Sequence, residues 1–260
     1  MRFTKMHGAG NDFLIFDPGE VGGVDLPALA RRSCDRHFGV GADGILVPAH
    51  ADDDADLEMV YLNSDGSPSE MCGNGLRCLA RYAADYELVE RDALTVATGA
   101  GVKKVILYPD GSSRVDMGPP GLGTEVGAGG FRLLRVSMGN PHAVTFLRDA
   151  EELESLDLRT VGQPIENDPL FPHRTNVEFV HVRVRNEVRM RIWERGAGET
   201  LASGSGSCAA AVAALATALA ESPVTVLLDG GTVRVDWGAG GVEPVYMTGP
   251  AEYICEGELL

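Results

Sequence analysis

Apolar and polar positions alternate in short runs along most of the chain, and only a few stretches repeat at helical spacing. Residues 3–6 and 13–16 read as short strands flanking a loop, 7–12, whose glycines allow backbone geometries that other residues resist. The spacing over 27–37 predicts a helix, and the glycine-rich 39–44 leads into the apolar strand 45–47. A strand over 57–62 ends at Asn63-Ser64-Asp65-Gly66-Ser67, a turn by composition. After a helix beginning near Gly75, the segments 94–96, 102–108 and 113–117 alternate as strands, with Pro109-Asp110-Gly111 as a hairpin turn. Residues 119–130 are glycine-rich with little periodicity and read as a crossing between domains. From Phe131 the plan repeats, with strands at 133–136, 143–147, 175–184, 188–193, 224–228 and 232–235. The helix predicted at 206–219 is apolar almost all round, so it should be enclosed on every side.

The repetition extends to motifs. Gly10-Asn11 is answered 129 residues later by Gly139-Asn140, Cys72 is answered 131 later by Ser203, and Met117-Gly118-Pro119 is answered 130 later by Met247-Thr248-Gly249-Pro250. Three matches in order at nearly one offset make the chain a duplication of a unit of about 130 residues. The expected fold class is α+β: two pseudo-symmetric lobes, each a β-rich roll or barrel wrapped around a central helix, with the active site in the cleft between them. The lobes are expected at 1–120 and 131–250, the tail 251–260 being a candidate to pack back on the first.

Both copies contain a small nucleophilic residue, then Gly-x-Gly, then a run that reads as a helix: Cys72-Gly73-Asn74-Gly75 and Ser203-Gly204-Ser205-Gly206. A helix N-terminus holds anions, and it can lower a cysteine's pKa from about 8.5 to as little as ~3.5–7.5. A single Cys-Gly-x-Gly is more often a structural cysteine before a tight turn; the echo shifts the weight towards chemistry. The N–H groups of Gly73, Asn74, Gly204 and Ser205 could hold a ligand's α-carboxylate between two helix ends, with residues 72 and 203 on opposite faces of its α-carbon. Two acid/base groups on opposite faces of one stereocentre describe a racemase or epimerase.

Composition narrows the partners. Acidic residues outnumber basic ones by 38 to 22, and the net charge of −16 disfavours nucleic acid or an anionic membrane. The acidic run 51–56 reads as a solvated loop. No signal-peptide core is visible and the longest apolar helix is too short for a bilayer, so a cytoplasmic protein is expected. Five cysteines without framework spacing suggest free thiols. Six scattered histidines give no metal-ligand spacing, three lysines leave few candidates for a pyridoxal phosphate Schiff base, and no Gly-Lys-Ser/Thr follows the glycine loops. No metal or cofactor is therefore expected.

The motifs Lys5-Met6-His7-Gly8-Ala9-Gly10-Asn11-Asp12-Phe13, Asn63-Ser64-Asp65-Gly66, Met71-Cys72-Gly73-Asn74-Gly75, Ser137-Met138-Gly139-Asn140-Pro141-His142, Arg174-Thr175-Asn176 and Glu194-Arg195-Gly196-Ala197-Gly198-Glu199-Thr200 carry a resemblance. Over essentially its whole length the chain resembles diaminopimelate epimerase. The resemblance implies cofactor-independent interconversion of LL- and meso-diaminopimelate, a step towards lysine and peptidoglycan precursors, in a homodimer. It implies a catalytic thiol at Cys72; Gly73, Asn74, Gly204 and Ser205 around the substrate carboxylate; Asn11, Asn63, Asn140, Asn176, Glu194 and Arg195 as further substrate ligands; and His142 and Glu194 as polar groups supporting catalysis. In the LL-to-meso direction it makes Cys72 the proton donor and residue 203 the base. Here the chain departs from the family, which carries a second cysteine where this sequence has Ser203. A hydroxyl is a far weaker acid than a thiol, and Cys208 lies more than a turn further along the helix. Gly44 stands where some members carry a substrate-contacting Gln. Two other readings are another cofactor-independent amino-acid racemase or hydroxyproline dehydratase, and a catalytically silent amino-acid-binding protein.

Overall fold

The alternating runs become strands and the two Gly-x-Gly stretches become helix starts in a computed structural model of the chain, which describes residues 1–51, 54–89, 92–238 and 242–260. Of the acidic run 51–56, Asp52 and Asp53 lie outside the described residues. The chain divides into two units, one of Met1–Val115 with Gly249–Leu260 and one of Asp116–Thr248.

In chain order the first copy of the repeat runs β1 (Arg2–Gly8), β2 (Asn11–Ile15), α1 (Leu26–Ser33), β3 (Gly44–Ala49), β4 (Leu57–Asn63), α2 (Gly73–Asp85), β5 (Ala93–Thr98), β6 (Gly101–Leu107), β7 (Ser112–Asp116) and β8 (Gly121–Ala128). The second runs β9 (Phe131–Ser137), β10 (Pro141–Leu147), α3 (Ala150–Glu154), α4 (Leu158–Glu166), β11 (Asn176–Val184), β12 (Glu187–Glu194), β13 (Gly198–Thr200), α5 (Gly204–Ala216), β14 (Val224–Leu227), β15 (Thr232–Asp236), β16 (Tyr246–Pro250) and β17 (Glu252–Glu258). Pairing repeats as faithfully as order. β2–β3 and β4–β5 are parallel, as are β10–β11 and β12–β14, while β1–β2, β3–β4 and β5–β6 are antiparallel, as are β9–β10, β11–β12 and β14–β15.

The last strand of each copy is exchanged. β8 lies antiparallel on β9 in the second unit, and β17 lies antiparallel on β1 in the first. Residues 119–130, expected as a crossing, thus contain a strand. Six of the first seven positions of β8 are exposed, so its backbone pairs with β9 without any apolar alternation for a sequence pattern to reveal. β17 escaped the sequence reading for the same reason, being exposed at nearly every position.

Each unit closes around one helix. α2 packs on β1, β2, β3 and β6, and α5 on β9, β10, β11, β12, β14 and β15. Enclosure decides composition: every side chain from Cys208 to Ala214 is fully buried, and mostly Ala fits between the helix and strands on several sides. α5 stops at Ala216 rather than 219, because Ala218 takes a left-handed φ of 58° and the N–H groups of Leu219 and Ala220 both return to the Ala214 carbonyl. α1 likewise ends at Ser33, four residues before the expected limit, because Asp35 Oδ1 accepts from the N–H groups of His37 and Phe38 at 2.7 and 2.8 Å and turns the chain. α3 and α4 were not legible as helices: both are short, and α4 contains Pro164.

Close packing around α5 gives a stability test. Ala211→Leu adds three carbons where no space remains and should destabilise the fold by about 1–3 kcal/mol, read as a lower urea midpoint with an unchanged slope.

Candidate active site

Turn geometry places the first polar group of each half. Between β1 and β2 Gly10 adopts φ 88°, and before β10 Gly139 adopts φ 92°, a region that only glycine enters without strain. Asn11 and Asn140 follow directly. In the first unit Asn11 Oδ1 meets the start of α2, accepting from Cys72 Sγ at 3.4 Å and from Asn74 Nδ2 at 3.3 Å. Cys72 is the N-cap residue in extended conformation, and its sulfur accepts from the Gly75 N–H at 3.5 Å. The N–H groups of Gly73 and Asn74 lie in the first turn, where the helix's own ladder cannot use them. Cys78, one turn deeper, is held by burial as a neutral thiol with its pKa pushed up to about 12. None of the five cysteines is in a disulfide bond.

Behind Asn11 stands an ion network. Asp12 pairs with Lys5 at 3.0 Å and with Arg36 at 2.8 Å, and Arg36 also reaches Asp43 at 2.8 Å. Burial alone would raise the Asp12 pKa, but hydrogen bonds from Arg36 and Lys5 outweigh it and hold the carboxyl below the ordinary range. Asp43 Oδ2 accepts from Asn11 Nδ2 at 2.6 Å and from the Asp12 N–H at 3.1 Å.

The second unit repeats the cap with different chemistry. Ser203 caps α5, its hydroxyl accepting from the Gly206 N–H at 3.3 Å. Asn140 Nδ2 donates to Ser205 Oγ at 3.3 Å, and its Oδ1 accepts from His142 Nε2 at 3.0 Å. His142 Nδ1 meets Glu178 Oε1 at 2.6 Å, with both side chains fully buried. Desolvation raises the Glu178 pKa against the opposing pull of His142. Burial likewise raises the pKa of Glu194, against hydrogen bonds from Thr200, whose Oγ1 donates to Oε1 at 2.6 Å, and from Ser203. Two carboxyl groups poised towards neutrality therefore stand close to the start of α5.

The residues singled out in the sequence fall into groups. Asn11, Cys72, Gly73 and Asn74 assemble in the first unit; Asn140, His142, Glu194, Ser203, Gly204 and Ser205 assemble in the second. Asn176 and Arg195 form a separate pair, because Asn176 Oδ1 accepts from the Arg195 N–H at 2.9 Å while its Nδ2 donates to the Pro141 carbonyl at 2.9 Å. Both ends of the Asn176 amide thus hold backbone, and the exposed Arg195 guanidinium donates to the His173 carbonyl at 3.2 Å. Asn63 donates to Ser67 Oγ at 3.0 Å, in its own turn. Cys208 is fully buried and cannot substitute for residue 203. At Gly44 a Cβ would lie 2.5 Å from the Leu62 carbonyl oxygen and 2.7 Å from the Tyr61 ring, so a longer side chain there is excluded by packing. A cavity of about 510 Å³ in the second unit reaches Asn140 and His142 but not Ser203. Among the described residues no group of three or more His, Cys, Asp or Glu side chains is placed to hold a metal ion, and no helix is long and apolar enough to cross a membrane.

Asp43, Glu178 and Thr200 were not identified as site residues from sequence. For Glu178 a signal existed: it is a single charge inside the apolar run of β11, and a fully buried carboxyl needs a partner.

Several known proteins resemble the chain in sequence or in fold. The sequence pattern of the family described as "Diaminopimelate epimerase" matches residues 3–122 and 134–254. The diaminopimelate epimerase of Desulfitobacterium hafniense is 46% identical, covering 100% of this chain and 98% of that protein. That of Moorella thermoacetica is also 46% identical, covering 99% of each. Among solved structures, a phenazine biosynthesis protein of the PhzF family from Bacillus anthracis superposes with a TM-score of 0.78 at 16% identity, over 100% of this chain and 99% of that one. A hydroxyproline epimerase from Agrobacterium vitis gives 0.68 at 16% identity, over 99% and 91%. At such identities the likeness concerns the fold.

The network behind Asn11 predicts a pH signature. A carboxyl whose folded pKa is depressed stabilises the fold above its ordinary value of 3.8, and that contribution is lost as pH falls through the lowered folded value. Asp12→Asn should therefore cost about 1.5–3 kcal/mol near pH 7, as expected for lost hydrogen bonds to charged groups. Its deficit relative to the unmodified protein should shrink as urea titrations are taken below pH 3.8.

Proposed function

The chain belongs to the diaminopimelate epimerase family, and from that premise we propose that it interconverts LL- and meso-diaminopimelate by two-base proton transfer at the α-carbon. The observation that carries the reading is the pair of matching helix starts, each a Gly-x-Gly turn capped by a small residue able to exchange or hold a proton. In this reading the N–H groups of Gly73, Asn74, Gly204 and Ser205 hold the α-carboxylate, where negative charge gathers once the α-proton leaves. Fixed helix-end dipoles stabilise that charge without reorganising. Cys72 serves one face of the carbon and residue 203 the other. Arg195, Glu194 and the amides of Asn11, Asn63, Asn140 and Asn176 recognise the remaining carboxylate and ammonium groups, Asn176 acting through the backbone it holds. The reaction draws on protein groups alone, and the enzyme works in the cytoplasm as a homodimer, as the family suggests.

Ser203 makes the two directions unequal. A serine hydroxyl has no accessible ionised form near neutral pH, so it is a poor base for the LL α-proton. Glu194 hydrogen-bonds to it, but a carboxyl group whose pKa is raised by burial does not ionise a hydroxyl. Cys72 keeps its helix start and can still remove the proton presented to its own face, at the D centre of the meso isomer.

Proton NMR in deuterated water, started from each isomer, tests this. The protein should exchange the α-proton of the meso D centre while epimerising slowly or not at all, and Ser203→Cys should raise epimerisation roughly 10²-fold or more. Equal epimerisation rates in both proteins would overturn the role given to residue 203, and water loss would indicate a dehydratase. Independently, Arg195→Ala should weaken diaminopimelate binding more than tenfold by calorimetry, about 1.5 kcal/mol for a lost charge-assisted hydrogen bond. Unchanged affinity would remove Arg195 from the ligand's surroundings.

A further inference from the structure

The two asparagines that follow the glycine turns are presented in opposite senses. Asn140 turns its Nδ2 towards the start of α5, donating to Ser205, because its Oδ1 is taken by His142 Nε2. Asn11 turns its Oδ1 towards the start of α2. The cause lies 32 residues away in sequence at Asp43, whose ionised carboxylate can only accept and so requires the Asn11 Nδ2 at 2.6 Å. Asp43 is itself fixed. Its Oδ1 holds Arg36 at 2.8 Å, its N–H donates to the Asp12 carbonyl at 2.9 Å, and its carbonyl accepts from Ser64. An amide oxygen aimed at a sulfur favours S–H over S⁻, because only the thiol has a proton to donate.

We propose that Asp43 is a positioning residue that sets the resting protonation balance of Cys72: by locking the Asn11 amide, it presents an acceptor to the sulfur and shifts the balance towards the thiol that donates a proton in the LL-to-meso direction, while the remaining thiolate fraction serves the reverse direction. The inference deepens the reading of Cys72 as the acid in one direction, and it gives the two half-sites opposite polarity through one amide orientation each. The glycine N–H groups at the start of α2 pull the other way, towards thiolate. Asn11 opposes them.

Other charged and titratable groups of the first unit stand on the elements packed around α2. They are Arg77, Cys78, Arg81, Tyr82 and Asp85 on α2 itself, Arg2, Lys5 and His7 on β1 with Glu252 of β17 facing His7 at 3.8 Å, Asp12 on β2, Lys103 and Lys104 on β6, and Arg36. All are shared by the protein and an Asp43→Asn variant, so a comparison isolates position 43. An Asn there can donate to Asn11 Oδ1, releasing the Asn11 amide to turn its Nδ2 to the sulfur. The midpoint pH of Cys72 alkylation should then fall by about one unit.

The experiment is iodoacetamide alkylation across a pH series. Cleavage at Arg36 and Arg77 leaves Cys72 as the sole cysteine of its tryptic peptide, resolved by mass spectrometry from Cys34, Cys78, Cys208 and Cys255. Loss of the Asp43 charge alone would also lower the midpoint, but through partly exposed solvent that about 1 M salt screens to a Debye length of ~3 Å. A fall that persists at high salt supports the proposal; an unchanged midpoint in the folded variant, or a fall abolished by salt, overturns it. Asn11→Asp provides the opposite test and does not depend on the folding of the first variant. A carboxylate facing the sulfur should raise the midpoint by a unit or more, and no rise would equally overturn the proposal. Alkylation needs no turnover, so an absence of epimerase activity leaves this test intact.

Discussion

A helix cannot satisfy the N–H groups of its own first turn, and both units begin their buried helix on a Gly-x-Gly stretch. The strands around each helix demand small residues along it, and the same smallness at its start leaves backbone as the main polar surface. What caps that start must be small too. A cysteine or serine side chain fills the position and accepts one of the loose N–H groups.

The supporting groups differ between copies more than the frame does. Around α2 the first copy arranges charges in pairs, Lys5 and Arg36 against Asp12 and Asp43, at the edge of solvent. Around α5 the second uses a fully buried imidazole and carboxyl with no cation from Lys or Arg beside them among the hydrogen bonds of the described residues. One arrangement sets opposite charges against each other, and the other keeps Glu178 and Glu194 biased towards the neutral form. A duplicated backbone thus supports two distinct electrostatic settings.

What was legible in the sequence is what local chemistry dictates. Gly10 and Gly139 are required by backbone conformation, Cys72 and Ser203 by capping, and the spacing near 130 follows because the same turns and caps recur. The small residues of α5 announced enclosure before any contact was known. Asp43 was not legible as a site residue, since it acts across 32 residues of sequence on an amide whose orientation no pattern encodes. Glu178 carried a detectable anomaly, a charge in an apolar strand, but its partner His142 lies 36 positions earlier. The exchanged strands β8 and β17 are held mainly by backbone pairing, which leaves little trace in side-chain periodicity.

The exchange of β8 and β17 fixes an order of events at the ribosome. The second unit is continuous, Asp116–Thr248, and all its strands have emerged once that stretch has cleared the exit tunnel. The first unit begins to emerge earlier yet stays incomplete, with one side of β1 uncovered, until residues 249–260 arrive to lay β17 along it. Vectorial synthesis therefore finishes the later-made half first, and the edge of β1 is the surface a nascent chain must keep from pairing with a neighbour in the interval.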